Sequence, residues 1–188
     1  NWTNAAGNAS FAWLGGLDAI FQGAAGTVTI ANGFTANPGD IYFNTDGYVL
    51  AATGSGSLDI AGGSAIDVNA GDATISAPIT GVGALTKTGA GTLALTGANT
   101  FTGDVNINAG TLSVSSAASL GNANNAINLD GTTLNSSATF TLGSGHATTL
   151  GAGGGTFDVD AAKNLTYAAN IAGAGGLTKT GAGTLTLS

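Results

Sequence analysis

A seventeen-residue passage occurs twice in this chain: Ile79-Thr-Gly-Val-Gly-Ala-Leu-Thr-Lys-Thr-Gly-Ala-Gly-Thr-Leu-Ala-Leu95 returns as Ile171-Ala-Gly-Ala-Gly-Gly-Leu-Thr-Lys-Thr-Gly-Ala-Gly-Thr-Leu-Thr-Leu187, at a constant offset of 92 residues. Short β-prone segments that repeat between glycine-rich turns mark units that cannot bury an apolar face alone and must stack on their neighbours. The 188 residues suffice for one ordinary domain or for a stack with a single elongated core. Thirty-three glycines with two prolines and 43% hydrophobic residues are too apolar for disorder, and the glycines keep no triplet period. The expectation is a turn-rich β-solenoid.

The charges point the same way. All ten acids are Asp, the three bases are Lys87, Lys163 and Lys179, and Glu and Arg are absent. Helix surfaces are normally clothed in Glu, Lys and Arg; Thr, Ser, Asn and Asp in their place fit polar strand faces and tight turns. A net charge of −7 leaves no basic stripe for nucleic acid and disfavours anionic membrane surfaces. The absence of Cys excludes disulfides, thiolate metal sites and a Cys nucleophile. No run of about 18 apolar residues occurs, so this segment is not expected to insert into a membrane.

From Gly26 onward apolar residues alternate in short bursts, among them Val28/Ile30, Ile41/Phe43, Ile66/Val68, Leu93/Leu95, Val105/Ile107, Ile127/Leu129 and Phe157/Val159. A period of two means one buried and one wet face. Leu93, Leu112, Leu134 and Phe157 follow one another at steps of 19, 22 and 23 residues, with shorter strands between them. Two or three short strands closing every twenty-odd residues describe a coil of a parallel β-helix, and roughly eight or nine coils are expected. A short helical turn is allowed at 116–120 and a helix within 10–21. Ile66-Asp-Val-Asn-Ala-Gly-Asp-Ala-Thr-Ile75 echoes Val105-Asn-Ile-Asn-Ala-Gly-Thr-Leu-Ser-Val114, which places Asn69 and Asn108 as candidates for side-chain ladders about two coils apart. Residues 1–54 hold most of the aromatic residues and are read as a distinct subregion of a single 1–188 solenoid, with 55–188 as the Gly/Thr/Asn-rich coils.

Catalytic and metal chemistry finds little support. Asn44-Thr45-Asp46-Gly47 resembles the Asn-Thr-Asp motif of polygalacturonases, but the further carboxylates, Gly-His-Gly and Arg-Ile-Lys elements of those enzymes have no counterpart. A turn in which Asn and Asp bond nearby backbone explains the motif. His146 is the only histidine and reads as a surface turn residue. Asp158 with Asp160, and Asp67 with Asp72, are candidates for weak Ca²⁺ binding, with solvated strand faces and turns as the plainer role. No catalytic, cofactor or metal residue is therefore assigned, and no enzyme activity is expected. Core positions should be sensitive, so Leu93→Asp or Leu112→Asp is expected to disrupt the fold and Lys87→Ala to be tolerated.

The stretch from Leu85 to Val114, with Asn-Thr-Phe-Thr-Gly at 99–103 and Ile-Asn-Ala-Gly-Thr-Leu at 107–112, resembles the passenger-associated transport repeat of autotransporter proteins, and a second copy begins at Leu177. The resemblance implies a right-handed parallel β-helix carried to the outside or the surface of a Gram-negative bacterium. It implies a structural stalk or scaffold, with an adhesin engaging glycans or host protein through a strand face as the alternative. Exposed aromatics near Trp2, Trp13 or Tyr48 would favour binding. The second copy stops at Ser188 with no polar cap, so the chain is expected to be either part of a longer passenger or a subunit that stacks head to tail into filaments.

Overall fold

The computed structural model describes residues 2–3, 10–11, 15–69 and 71–188. From Ala19 onward the chain winds through eight coils with three sides. The first side is an eight-stranded sheet of Ala19–Phe21, Ile41–Phe43, Ser64–Val68, Leu85–Thr88, Val105–Ile107, Ile127–Leu129, Thr148–Leu150 and Ile171–Gly173. The second, also eight-stranded, comprises Thr27–Ile30, Tyr48–Ala52, Asp72–Ile75, Thr92–Leu95, Thr111–Val114, Thr132–Ser136, Gly155–Val159 and Leu177–Thr180. The third side has two three-stranded sheets, Thr35–Ala36 with Ser57–Asp59 and Ile79–Thr80, and Phe140–Leu142 with Asn164–Tyr167 and Thr184–Leu187. Every pairing along these three sides is parallel, as expected when each strand's neighbour lies one full turn of chain away.

Alternation decides which side chains enter the core. Leu93, Leu112, Leu134 and Phe157, spaced at 19, 22 and 23 residues, are direct neighbours in one inward column. All four are buried, as are Leu95, Val114 and Val159 two positions on. Between the two short sheets of the third side the strand ladder lapses, and Phe101 and Leu120 fill the interior there. Thr100 N–H still reaches the Ile79 carbonyl at 2.8 Å and Asn122 N–H the Phe101 carbonyl at 2.9 Å, so coil spacing is kept without regular strands.

The helical turn expected near 116–120 is present as a 3-10 turn at Ala117–Leu120. Among the described residues of 10–21 there is no helix. Ser10–Phe11 pairs antiparallel with Trp2–Thr3, and Ala19–Phe21 pairs with Ile41–Phe43. Ala19 and Phe21 alternate inward on either side of exposed Ile20, a period that suits a strand and leaves a helix no continuous apolar stripe. Phe21 stacks on Phe43 with ring centroids 4.7 Å apart, and Tyr48 packs beside both.

The two copies of the repeated passage lie on different sides. Leu85–Thr88 belongs to the first side and Leu177–Thr180 to the second; likewise Thr92–Leu95 belongs to the second and Thr184–Leu187 to the third. The offset of 92 residues therefore advances four coils and one further side. Each copy of the passage lays one strand on each of the three sides, Ile79–Thr80 preceding the other two in the first copy and Ile171–Gly173 in the second, and the nine residues identical between the copies, 85–93 and 177–185, enclose one corner.

Candidate functional site

The corner explains what the repeat encodes. Lys87 sits in an inward column between Ile66 and Ile107, fully buried at 0% exposure. Its ammonium donates to the carbonyls of Thr88 at 2.6 Å, Gly89 at 2.8 Å and, one coil on, Ala109 at 3.2 Å. Burial pulls its pKa down to about 8, with Asp67 acting the other way. Lys179 repeats the local part, donating to the Thr180 carbonyl at 2.8 Å and the Gly181 carbonyl at 2.9 Å. The expectation that Lys87→Ala is tolerated is thus corrected: the lysine stem fills a core position and its head caps three backbone carbonyls.

His146 is corrected as well. It is buried at 2% exposure, with Nδ1 at 3.0 Å from the Asn125 carbonyl, so the tautomer that donates from Nδ1 satisfies the contact. It belongs to a ladder in which each coil caps the one before. Asn125 donates to the Phe101 carbonyl, His146 to that of Asn125, and the Tyr167 hydroxyl to that of His146 while meeting the Thr148 hydroxyl. Burial raises the Tyr167 pKa above its usual value. A single histidine among ordinary turn residues gives no sequence signal of this, because the partner lies 21 residues away.

The acidic and amide candidates are also braces between coils. Asn44 accepts from the Asn69 amide at 2.5 Å, and Asp46 from the Asp72 backbone N–H at 2.7 Å. Asp40 and Asp104 likewise accept from Ala65 N–H and Ala126 N–H. Asp158 and Asp160 converge on the side-chain amide of Asn135, at 2.8 Å each, and Asn135 in turn accepts from Ser113. Asp67 accepts from the Thr88 hydroxyl at 2.8 Å. Among the described residues no three His, Cys, Asp or Glu side chains gather where they could hold a metal ion. Asn69 stacks on Asn44, one coil back, and the other amide ladder joins Asn128 to Asn106 at 2.8 Å. Tyr48 is buried and donates to the Gln22 carbonyl, while the side chains of Trp2 and Trp13 lie outside the described residues.

One outward surface gathers polar side chains in two adjacent columns. On the first side, Thr86, Asn106, Asn128 and Thr149 form one outward column, and Thr88, Asn108, Asp130 and Gly151 follow the one beside it. Where Gly151 ends the second column there is a shallow hollow of about 160 Å³ bordered by Asn108, Asn128, Asp130 and Thr149. Asp130 uses Oδ1 to accept from Gly153 N–H at 2.6 Å.

Comparison with known proteins matches residues 85–114 and 177–188 to the passenger-associated transport repeat. Over its whole length the chain is 41% identical to an adhesin BmaC autotransporter of Brucella suis biovar 1 (strain 1330), of which it spans 6%. No solved structure matches.

Proposed function

This chain belongs to the passenger part of an autotransporter, and on that premise we propose that it is a non-enzymatic, extracellular length of rod that holds distance and presents its sides for adhesion. The observation that carries the reading is the use of the polar side chains. The carboxylates and amides that a hydrolase would direct at substrate are engaged between coils, as with Asp46 on Asp72 N–H and Asn135 on both Asp158 and Asp160. Eight coils at ~4.8 Å per coil make a stiff rod from a short sequence unit. The adhesive role is favoured by the similar passenger segment in a protein named as an adhesin.

The rod is tested by electron microscopy of the purified chain over a range of concentrations. Discrete rods of constant length support a segment that works within a longer passenger. Filaments one rod wide, lengthening with concentration, would replace that reading with end-to-end assembly. Release of reducing ends from polysaccharides, absent from a mock preparation, would overturn the non-enzymatic assignment. Adhesion is read separately, as saturable attachment of the labelled chain to epithelial cells.

A further inference from the structure

We propose that the hollow on the first side, between Asn108, Asn128, Asp130 and Thr149, is a binding subsite for a single uncharged pyranose ring, the terminal or exposed sugar of a neutral glycan. The proposal rests on the adhesive reading and gives it a location and a ligand class.

The first ground is the set of groups left over after folding. The side-chain amide of Asn108 and the Thr149 hydroxyl make no hydrogen bond among the described residues, and Asn128 spends one side-chain amide proton on Asn106 and keeps its carbonyl oxygen. Asp130 accepts Gly153 N–H through Oδ1 and keeps Oδ2. Donors and acceptors therefore stand side by side around one depression. Neighbouring sugar hydroxyls, each able to donate and accept, match such a mixed set; a metal ion would need a richer set of oxygen ligands than one carboxylate supplies.

The second ground is size and shape. A volume of about 160 Å³ is well below the roughly 300 Å³ at which drug-sized pockets begin, so the hollow takes one ring lying on an open face. The hollow stays open because position 151 has no side chain: a Cβ there would come within 2.5 Å of the Asp130 carboxyl carbon.

The third ground is charge. The chain carries −7 overall, Asp130 contributes a negative charge at the rim, and Lys87, the basic residue of a neighbouring coil, is turned into the core. Sialic acids, uronic acids and sulfated sugars are repelled, which restricts the ligand to neutral sugars.

The test is a titration of the ¹⁵N-labelled 188-residue chain, followed by the side-chain amide resonances of asparagine, with the methyl glycosides of glucose, galactose and mannose, with N-acetylglucosamine, and with N-acetylneuraminic acid as the charged counterpart. At least one neutral sugar should shift the Asn108 and Asn128 amides saturably in the millimolar range, and N-acetylneuraminic acid should not. Asn108→Ala and Thr149→Val alter exposed side chains and should leave the melting temperature unchanged while each weakening binding about fivefold, the worth of one neutral hydrogen bond. The proposal is overturned if no neutral sugar gives saturable shifts, if the shifts survive both substitutions, or if the charged sugar binds equally well. Cell attachment without any sugar response would remove this subsite and leave the adhesive reading standing; loss of attachment alone would remove the adhesive reading.

Discussion

Lys87 shows how far the role of a residue depends on which side of the strand it occupies. Its pKa of about 8 lies below the ordinary lysine value of 10.5, so the folded chain holds this proton less tightly than the unfolded one. Stability is accordingly lowest below pH 8, rises as pH climbs from about 8 toward 10.5, and gains at most about 3 kcal/mol across that window. Thermal melts between pH 7 and 9.5 should show the rise in the native chain and not in Lys87→Met. Keeping below pH 10 avoids ionising Tyr167, whose burial favours its neutral form and whose contribution falls as pH increases. At pH 7 Lys87→Ala is expected to lose at least about 2 kcal/mol, since it leaves the carbonyls of Thr88, Gly89 and Ala109 without their donor and opens a cavity. A urea titration with an unchanged midpoint would show that the lysine head is dispensable.

At the scale of the element, the unit is a corner, and its glycine is what lets one coil seat on another. Gly89 has φ of 75°, and a Cβ placed on it would meet the Val68 carbonyl oxygen at 2.2 Å; Gly181 has φ of 71° and would meet the Val159 carbonyl oxygen at the same distance. Two copies on different sides of the solenoid thus keep the same backbone conformation and the same contact one coil back. Gly89→Ala should cost about 1–3 kcal/mol from the positive φ, with a further loss from the displaced backbone. Gly181→Ala should fall in the same direction, and denaturant unfolding of the two variants checks both. Much of this level was legible in the sequence. Alternation located the strands, and the steps from Leu93 to Phe157 named true neighbours. What stayed hidden depends on distant backbone: the carbonyl that completes Lys87 is 22 residues on, and the one His146 meets is 21 residues back. The rotation of the repeat by one side was hidden too, because similarity at a fixed offset carries no record of how many corners lie between. The hollow beside Asp130 arises where Asn108, Asp130 and Gly151 fall into one outward column, a register the local sequence does not announce.

At the scale of the molecule, a solenoid has no single centre, and each coil is stabilised by the two it touches. Position along the axis should then govern the cost of a substitution more than residue type does. Leu134 is 1% exposed, with Leu112 on one side of its column and Phe157 on the other, whereas Leu187 in the eighth coil is 58% exposed and lies opposite Tyr167. Leu134→Ala should cost about 2–5 kcal/mol through lost burial and an incompletely collapsed cavity. Leu187→Ala, which removes a side chain still largely in water, should stay within about 0.5 kcal/mol. Hydrogen exchange on the intact chain separates this picture from that of a globular domain unfolding as one body. Amides of the coils flanking Leu134, on both sides, should lose protection in Leu134→Ala, while those near Ala19–Phe21 change least. A uniform loss across all eight coils would mean that they unfold together, and nearest-neighbour coupling would be the wrong description of this rod.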